Sequence, residues 1–352
     1  IDAAMGRDLD PGLAALRARL AAGETVPYTV APTAAAGLAE ALHAIGAVAA
    51  DGDPMAALLY ARAALALAPG HADAALLAAG ALEALGEQEA ARAAYALVDP
   101  ADPAFPAAEM GRAASLRREG SGEAAAEILQ GLARAHPDLP ELQATLGDTL
   151  RGLSRFAEAE AAYGRAIALY EEEDGPLWFV HYVRAIARQA QDDWPGAEAD
   201  LRRALALNPG QPQVLNHLGY SLVERGESLD EALAMIEEAV AAEPANGAIV
   251  DSLGWAYFKL GRHGEAVVAL ERASGLLPVD PVINDHLGDA YWKVGREREA
   301  RFQWQRALSL SPEEEEAARI RLKLELGLDA VEAQERGGTD AAGPVAEGPG
   351  GG

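Results

Sequence analysis

A motif recurs through this chain with a period near 34 residues, and that period limits the fold more than any other feature. It is clearest in LNHLGYSLVERG from Leu215, IVDSLGWAYFKLG from Ile249 and INDHLGDAYWKVG from Ile283. The Leu218-Gly219, Leu253-Gly254 and Leu287-Gly288 pairs are spaced by 35 and 34 residues. A large residue follows each of these glycines by three positions (Leu222, Tyr257, Tyr291), and a second glycine (Gly226, Gly261, Gly295) comes before a turn. Alanines then recur at 232, 266 and 300 and at 239, 273 and 307, and Pro244, Pro278 and Pro312 close the units. A period of this length marks a stack of supersecondary units, each contacting only its neighbours.

Within a unit the spacing predicts two helices. Small residues at the Gly and Ala positions allow close helix crossing. Tyr163, Leu270 and Trp304 are expected to fill the space beside them, the turn glycines to sit in the left-handed region, and the prolines to stop the second helix. Glu231, Glu265 and Glu299 fall in the first turn of the second helix, where a carboxylate complements the helix dipole. The extra residue in GESLDEA, near Ser228, is absorbed by a turn. Composition agrees with helices. Half of the 352 residues are hydrophobic but only 5% are aromatic, and alanine, which loses no side-chain entropy in a helix, dominates.

The reading divides the chain into five parts. Residues 1–32 form a partly helical N-terminal segment, with PGLAALRARLAAG as its amphipathic stretch. Residues 33–210 hold about five degenerate repeats and 211–312 three well-formed ones. Residues 313–330, from EEEEAARIRLKLELGL, form one capping helix, and the Gly/Pro/Ala-rich 331–352 a disordered tail.

Charge and composition narrow the function classes. A formal net charge of −26 disfavours a phosphate footprint, which needs clustered Lys and Arg, so nucleic acid is not expected as a partner. The same excess attracts basic partners at long range, although most of it reads as solvated surface. With no cysteine, disulfides, thiol catalysis and thiolate metal sites are excluded. No apolar run of eighteen or more residues predicts a membrane span. The chain starts at Ile1 with neither a basic nor an apolar leader, so a signal peptide is read as absent or removed, or the chain as a fragment. The histidines at 43, 71, 136, 181, 217, 263 and 286 are dispersed without metal-ligand spacing, so no metal is expected; His217 and His286 share one repeat position. No nucleophile elbow or phosphate loop appears, and neither an enzyme activity nor a cofactor is expected.

The spacing and the Leu-Gly, Ala and Pro signature resemble the tetratricopeptide repeat (TPR). The resemblance covers about 280 residues and implies an all-α, right-handed α-solenoid of stacked helix hairpins with a C-terminal capping helix. In that family, positions two, five, nine, twelve and thirteen of the first helix face a concave groove. Carried over, these are Gln213, Asn216, Tyr220, Val223 and Glu224; Ala248, Asp251, Trp255, Phe258 and Lys259; and Val282, Asp285, Asp289, Trp292 and Lys293. From these we select Asn216, Tyr220, Asp251, Trp255, Phe258, Lys259, Asp285, Asp289, Trp292 and Lys293 as the groove for a protein or peptide partner. A second reading stays open, in which Trp255, Phe258 and Trp292 pack between repeats or against the cap. The cationic clamp of chaperone-tail-binding members is missing, since Asn216, Tyr220, Ser252, Val282 and His286 stand at its positions.

The block Leu215–Leu308 is similar to TPR proteins common in alphaproteobacteria. It also resembles the C-terminal repeats of outer-membrane TPR lipoproteins that act as adaptors for a periplasmic C-terminal processing protease. That resemblance implies a non-catalytic scaffold in the periplasm or at the outer membrane, with an envelope protease or cell-wall hydrolase as partner. The alternatives are a cytoplasmic assembly factor and the TPR portion of a protein with an upstream domain.

Overall fold

A computed structural model describes residues 19–24, 31–170 and 177–341, with side chains as far as Arg336. Among these residues the regular structure is entirely helical, without strands. Contacts divide the chain into two compact units, Ile1–Arg203 and Ala204–Gly352.

The first unit is a run of helix hairpins: α1 (Ala34–Ala49) with α2 (Pro54–Leu67), α3 (Ala72–Ala84) with α4 (Gln88–Tyr95), α5 (Phe105–Arg118) with α6 (Gly122–Ala135), and α7 (Pro140–Gly152) with α8 (Phe156–Leu169). α9 (Leu177–Gln189) and α10 (Trp194–Leu207) follow. Its N-terminal core is built largely of alanine, with Ala57, Ala61, Ala79 and Ala91 fully buried around Leu82. Farther along, Leu129, Leu142, Leu146 and Tyr163 make a core of larger side chains. Short side chains let helices approach closely but bury little area each, which suits repeats whose stability comes from stacking.

The second unit carries the three regular hairpins: α11 (Pro212–Arg225) with α12 (Leu229–Ala242), α13 (Gly247–Lys259) with α14 (His263–Leu276), and α15 (Pro281–Lys293) with α16 (Glu297–Ser309). The repeated glycine of each first helix lies directly under a large residue of its second helix. A Cβ on Gly254 would come within 2.5 Å of Leu270, and one on Gly219 within 2.7 Å of Ile236. A Cβ on Gly288 would strike the Trp304 indole. The Leu-Gly signature is therefore a packing requirement, since no side chain fits in that contact. Gly226, Gly261 and Gly295 end the first helices with φ of 67°, 74° and 79°, and Ser228 takes the left-handed conformation (φ 44°) in the longer turn. Asn246 and Asp280 cap α13 and α15 by accepting the amides of Ile249 and Ile283.

The C-terminal end departs from the sequence expectation. In place of one capping helix over 313–330 and a tail from 331, two helices follow: α17 (Glu314–Leu326) and α18 (Leu328–Ala341). Gly327 makes the corner at φ 84°, and a Cβ there would meet the Trp292 ring at 2.5 Å. Leu328 and Val331 are buried, so the apolar face of the cap continues past 330. Residues 1–18 and 25–30 of the N-terminal segment and 342–352 of the expected tail lie outside the described residues.

Candidate partner-binding groove

The candidate face is assembled from α11, α13 and α15. On α11, Asn216, Tyr220 and Glu224 follow one another at four-residue steps, as do Asp251, Trp255 and Lys259 on α13 and Asp285, Asp289 and Lys293 on α15. That spacing puts each set along one helix face. The structure then gives the three sets different roles.

The third set is committed within the molecule. The Lys323 ammonium of α17 is fully buried and donates to Asp285 Oδ2 at 2.6 Å and to Asp289 Oδ2 at 2.7 Å. Asp289 also accepts Trp304 Nε1 at 2.9 Å, and Arg319 approaches it at 3.7 Å. Lys293 donates to Asp329 at 2.6 Å and to Glu332 at 2.7 Å, and Trp292 Nε1 donates to Asp329 at 3.0 Å. Of the ten residues selected as a groove, Asp285, Asp289, Trp292 and Lys293 therefore hold the molecule's own C-terminal helices. The physical reason is electrostatic. Two carboxylates one helical turn apart need a counter-charge once they are covered, and Lys323 supplies it.

The second set is half structural. Trp255 is 7% exposed. Its ring lies nearly parallel to that of Phe258 at 4.8 Å and to that of His286 at 3.9 Å, and its indole N–H donates to Glu224. Phe258 is buried and also meets His263, which makes it a packing residue. Asp251 is buried and faces His286 Nδ1 at 3.0 Å. Lys259 stands 5.0 Å above the Trp255 ring and 3.6 Å from Glu224.

Beside these groups a cavity of about 350 Å³ remains open. It is lined by Tyr220 and Glu224 of α11, Trp255 and Lys259 of α13, Asp285 and His286 of α15, and Glu316, Arg319 and Ile320 of α17. Burial raises the Tyr220 phenol above its ordinary range, and the carboxylates of Glu224, Asp251 and Glu316 push it further. Among the described residues, the buried amide oxygen of Asn216 has no hydrogen-bond partner.

His286 and His217 hold the same repeat position, yet their pKa values move in opposite directions. Burial lowers the His217 pKa. Burial alone would do the same to His286, but Asp251 outweighs it, with help from Asp285 and Asp289, and the imidazole is held above its usual value. A raised histidine pKa adds stability that is complete below about pH 6.5 and fades as pH rises through the folded-state value. The expected result is that His286→Gln weakens the fold most at pH 5.5–6 and progressively less at alkaline pH. Urea midpoints of the two proteins across that range check this, and a gap that widens with pH would contradict the pairing. Lys323 and Arg319 on α17 face the same cluster through Asp289.

His286 as the partner of Asp251 and Lys323 as the partner of Asp285 and Asp289 were not named from the sequence. One signal was present: Lys323 continues the buried stripe of Ala317 and Ile320 at three-residue steps, an odd place for a lysine without a carboxylate.

The structure also gathers three dispersed residues of the first unit. Ligand atoms of Glu40, His43 and His71 lie within 4.8 Å of one another. His71 Nδ1, however, accepts the Ala74 amide at 3.3 Å as a helix cap, which leaves the proton of the neutral ring on Nε2, 3.5 Å from Glu40. In that tautomer Nε2 has no lone pair to offer a cation, so the cluster reads as a cap with an acidic neighbour.

Comparison with known proteins agrees with this architecture. The Tetratricopeptide repeat family matches residues 182–229 and 218–281. A TPR repeat-containing protein of Pseudomonas aeruginosa is 30% identical over 173 residues, covering 49% of this chain and 28% of that protein. The chain thus spans well under half the length of this relative. Among solved structures, the APC/C hetero-tetramer Cut9–Hcn1 superposes with a TM-score of 0.57 at 17% identity, over 78% of this chain and 52% of that one. A tetratricopeptide repeat protein from Parabacteroides merdae gives 0.50 at 16% identity, over 83% of this chain and 99% of that one. At such identities the two structures show a shared fold alone.

Proposed function

Because this chain is built of tetratricopeptide repeats, we propose that it is a non-catalytic scaffold that takes a partner protein or peptide on the concave face of α11 and α13. One observation carries the reading. On the third repeat the face is filled by α17 and α18, whereas beside Tyr220, Glu224, Trp255 and Lys259 a cavity of about 350 Å³ stays open. The recognition surface is therefore shorter than the three-repeat strip, with Asn216, Tyr220, Trp255 and Lys259 its members among the ten selected residues. The resemblance of the block 215–308 to outer-membrane adaptors favours a partner in the bacterial envelope, a processing protease or a cell-wall hydrolase.

Affinity capture with the full chain as bait, followed by mass spectrometry, tests this proposal. A Tyr220→Ala, Lys259→Ala double variant serves as the control, because both side chains are partly exposed. The expected result is one envelope protein retained by the wild type and reduced about tenfold or more on the control, the loss typical of removing interface anchors. An unchanged capture profile would move the site off this face.

A further inference from the structure

We infer that the cavity lined by α11, α13, α15 and α17 is a pocket for a basic side chain, an arginine or lysine of the bound partner. This rests on the groove reading above and adds the chemistry of its anchor. Every cation around the cavity already has a carboxylate. Lys259 faces Glu224 at 3.6 Å, His286 faces Asp251 at 3.0 Å, Lys323 binds Asp285 and Asp289, and Arg319 binds Glu335 at 2.8 Å. Acceptors are what remain. Among the described residues, Asp285 Oδ1 is buried without a partner, and neither the Glu316 carboxylate nor the Tyr220 hydroxyl makes a hydrogen bond or ion pair. An anion entering here would have to break an existing pair, while a cation completes open valences.

Trp255 borders the cavity while stacked on His286 and Phe258, with the Lys259 ammonium 5.0 Å from its ring centre, so an aromatic wall and an ion pair already stand together there. The volume of about 350 Å³ sits at the small end of ligand-sized clefts, roughly 300–1,000 Å³, which suits one long side chain and its flanking backbone. A net charge of −26 steers basic segments toward the chain and gives binding a salt dependence.

The test uses the full chain and a positional-scanning hexapeptide array. Pools holding arginine at one position are compared with pools holding citrulline, which keeps the shape and loses the charge. The expected result is retention of the arginine pool at one position by about tenfold or more over citrulline, the worth of one hydrogen bond to a charged group. The Glu316→Gln, Tyr220→Phe double variant, which removes the Glu316 charge and the Tyr220 hydroxyl, leaves Asp285 in place and breaks no existing pair, is expected to bring that ratio to about twofold or less with unchanged thermal melting. Equal retention of arginine and citrulline, or full discrimination by the double variant, overturns the pocket and leaves the groove reading standing. Retention of no pool overturns both.

Discussion

Replacing Lys323 with alanine is expected to lower the unfolding free energy by about 3–5 kcal/mol, the effect of removing one member of a buried ion pair. The ammonium is fully buried between Asp285 Oδ2 at 2.6 Å and Asp289 Oδ2 at 2.7 Å, and its loss leaves two carboxylates facing each other in a covered site. Burial already holds the Asp289 carboxyl above its ordinary range, and Lys323 is the main influence opposing that. Urea unfolding followed by tryptophan fluorescence measures the effect. Adding Asp285→Asn and Asp289→Asn to Lys323→Met, so that no charge is stranded, is expected to recover much of the loss. A Lys323→Ala protein with the wild-type midpoint would show that α17 is not docked on α15.

Replacing Trp255 with alanine is expected to cost a similar amount, about 3–5 kcal/mol, because it empties a packed aromatic position. The ring contacts His286 and Phe258 face to face, and its indole N–H holds Glu224. The sequence reading selects Trp255 for the groove while leaving open that it packs between repeats; at 7% exposure it is chiefly a packing residue that also borders the cavity. Loss of partner capture by Trp255→Ala would therefore report unfolding as readily as recognition. Trp255→Phe separates the two, since it retains the stack and gives up only the Glu224 bond, a loss of about 1–3 kcal/mol. Denaturation midpoints of both variants check the pair. Equal midpoints for the wild type and Trp255→Ala would make this residue a surface anchor after all.

The parts of the structure legible in the sequence are those encoded within one hairpin. Gly254 under Leu270 and Gly288 under Trp304 are each sixteen residues apart, and they recur, so the period itself carries the packing rule. The turn glycines were legible for the same reason. What escaped are contacts that join a regular element to an irregular one. Lys323 with Asp289 and Lys293 with Glu332 link a repeat to helices outside the periodic signature, so no spacing announces them. The break at Gly327 was readable as a helix stop after Leu326, but the amphipathic pattern runs through it and hides the corner. The expected face thus ran over three helices, one of which, α15, is covered by the chain's own C-terminal helices.

The docking of α17 and α18 on α15 also turns recognition there into a competition. A segment tethered to its own binding face acts as a ligand at an effective concentration on the order of millimolar or more. Any outside partner for Asp285, Asp289, Trp292 or Lys293 has to outbid that built-in rival, and a weak one never does. For the groove proposed above, the consequence is a sorting by position: α11 and α13 carry no such rival among the described residues, while the face of α15 is open only to a binder strong enough to displace α17 and α18.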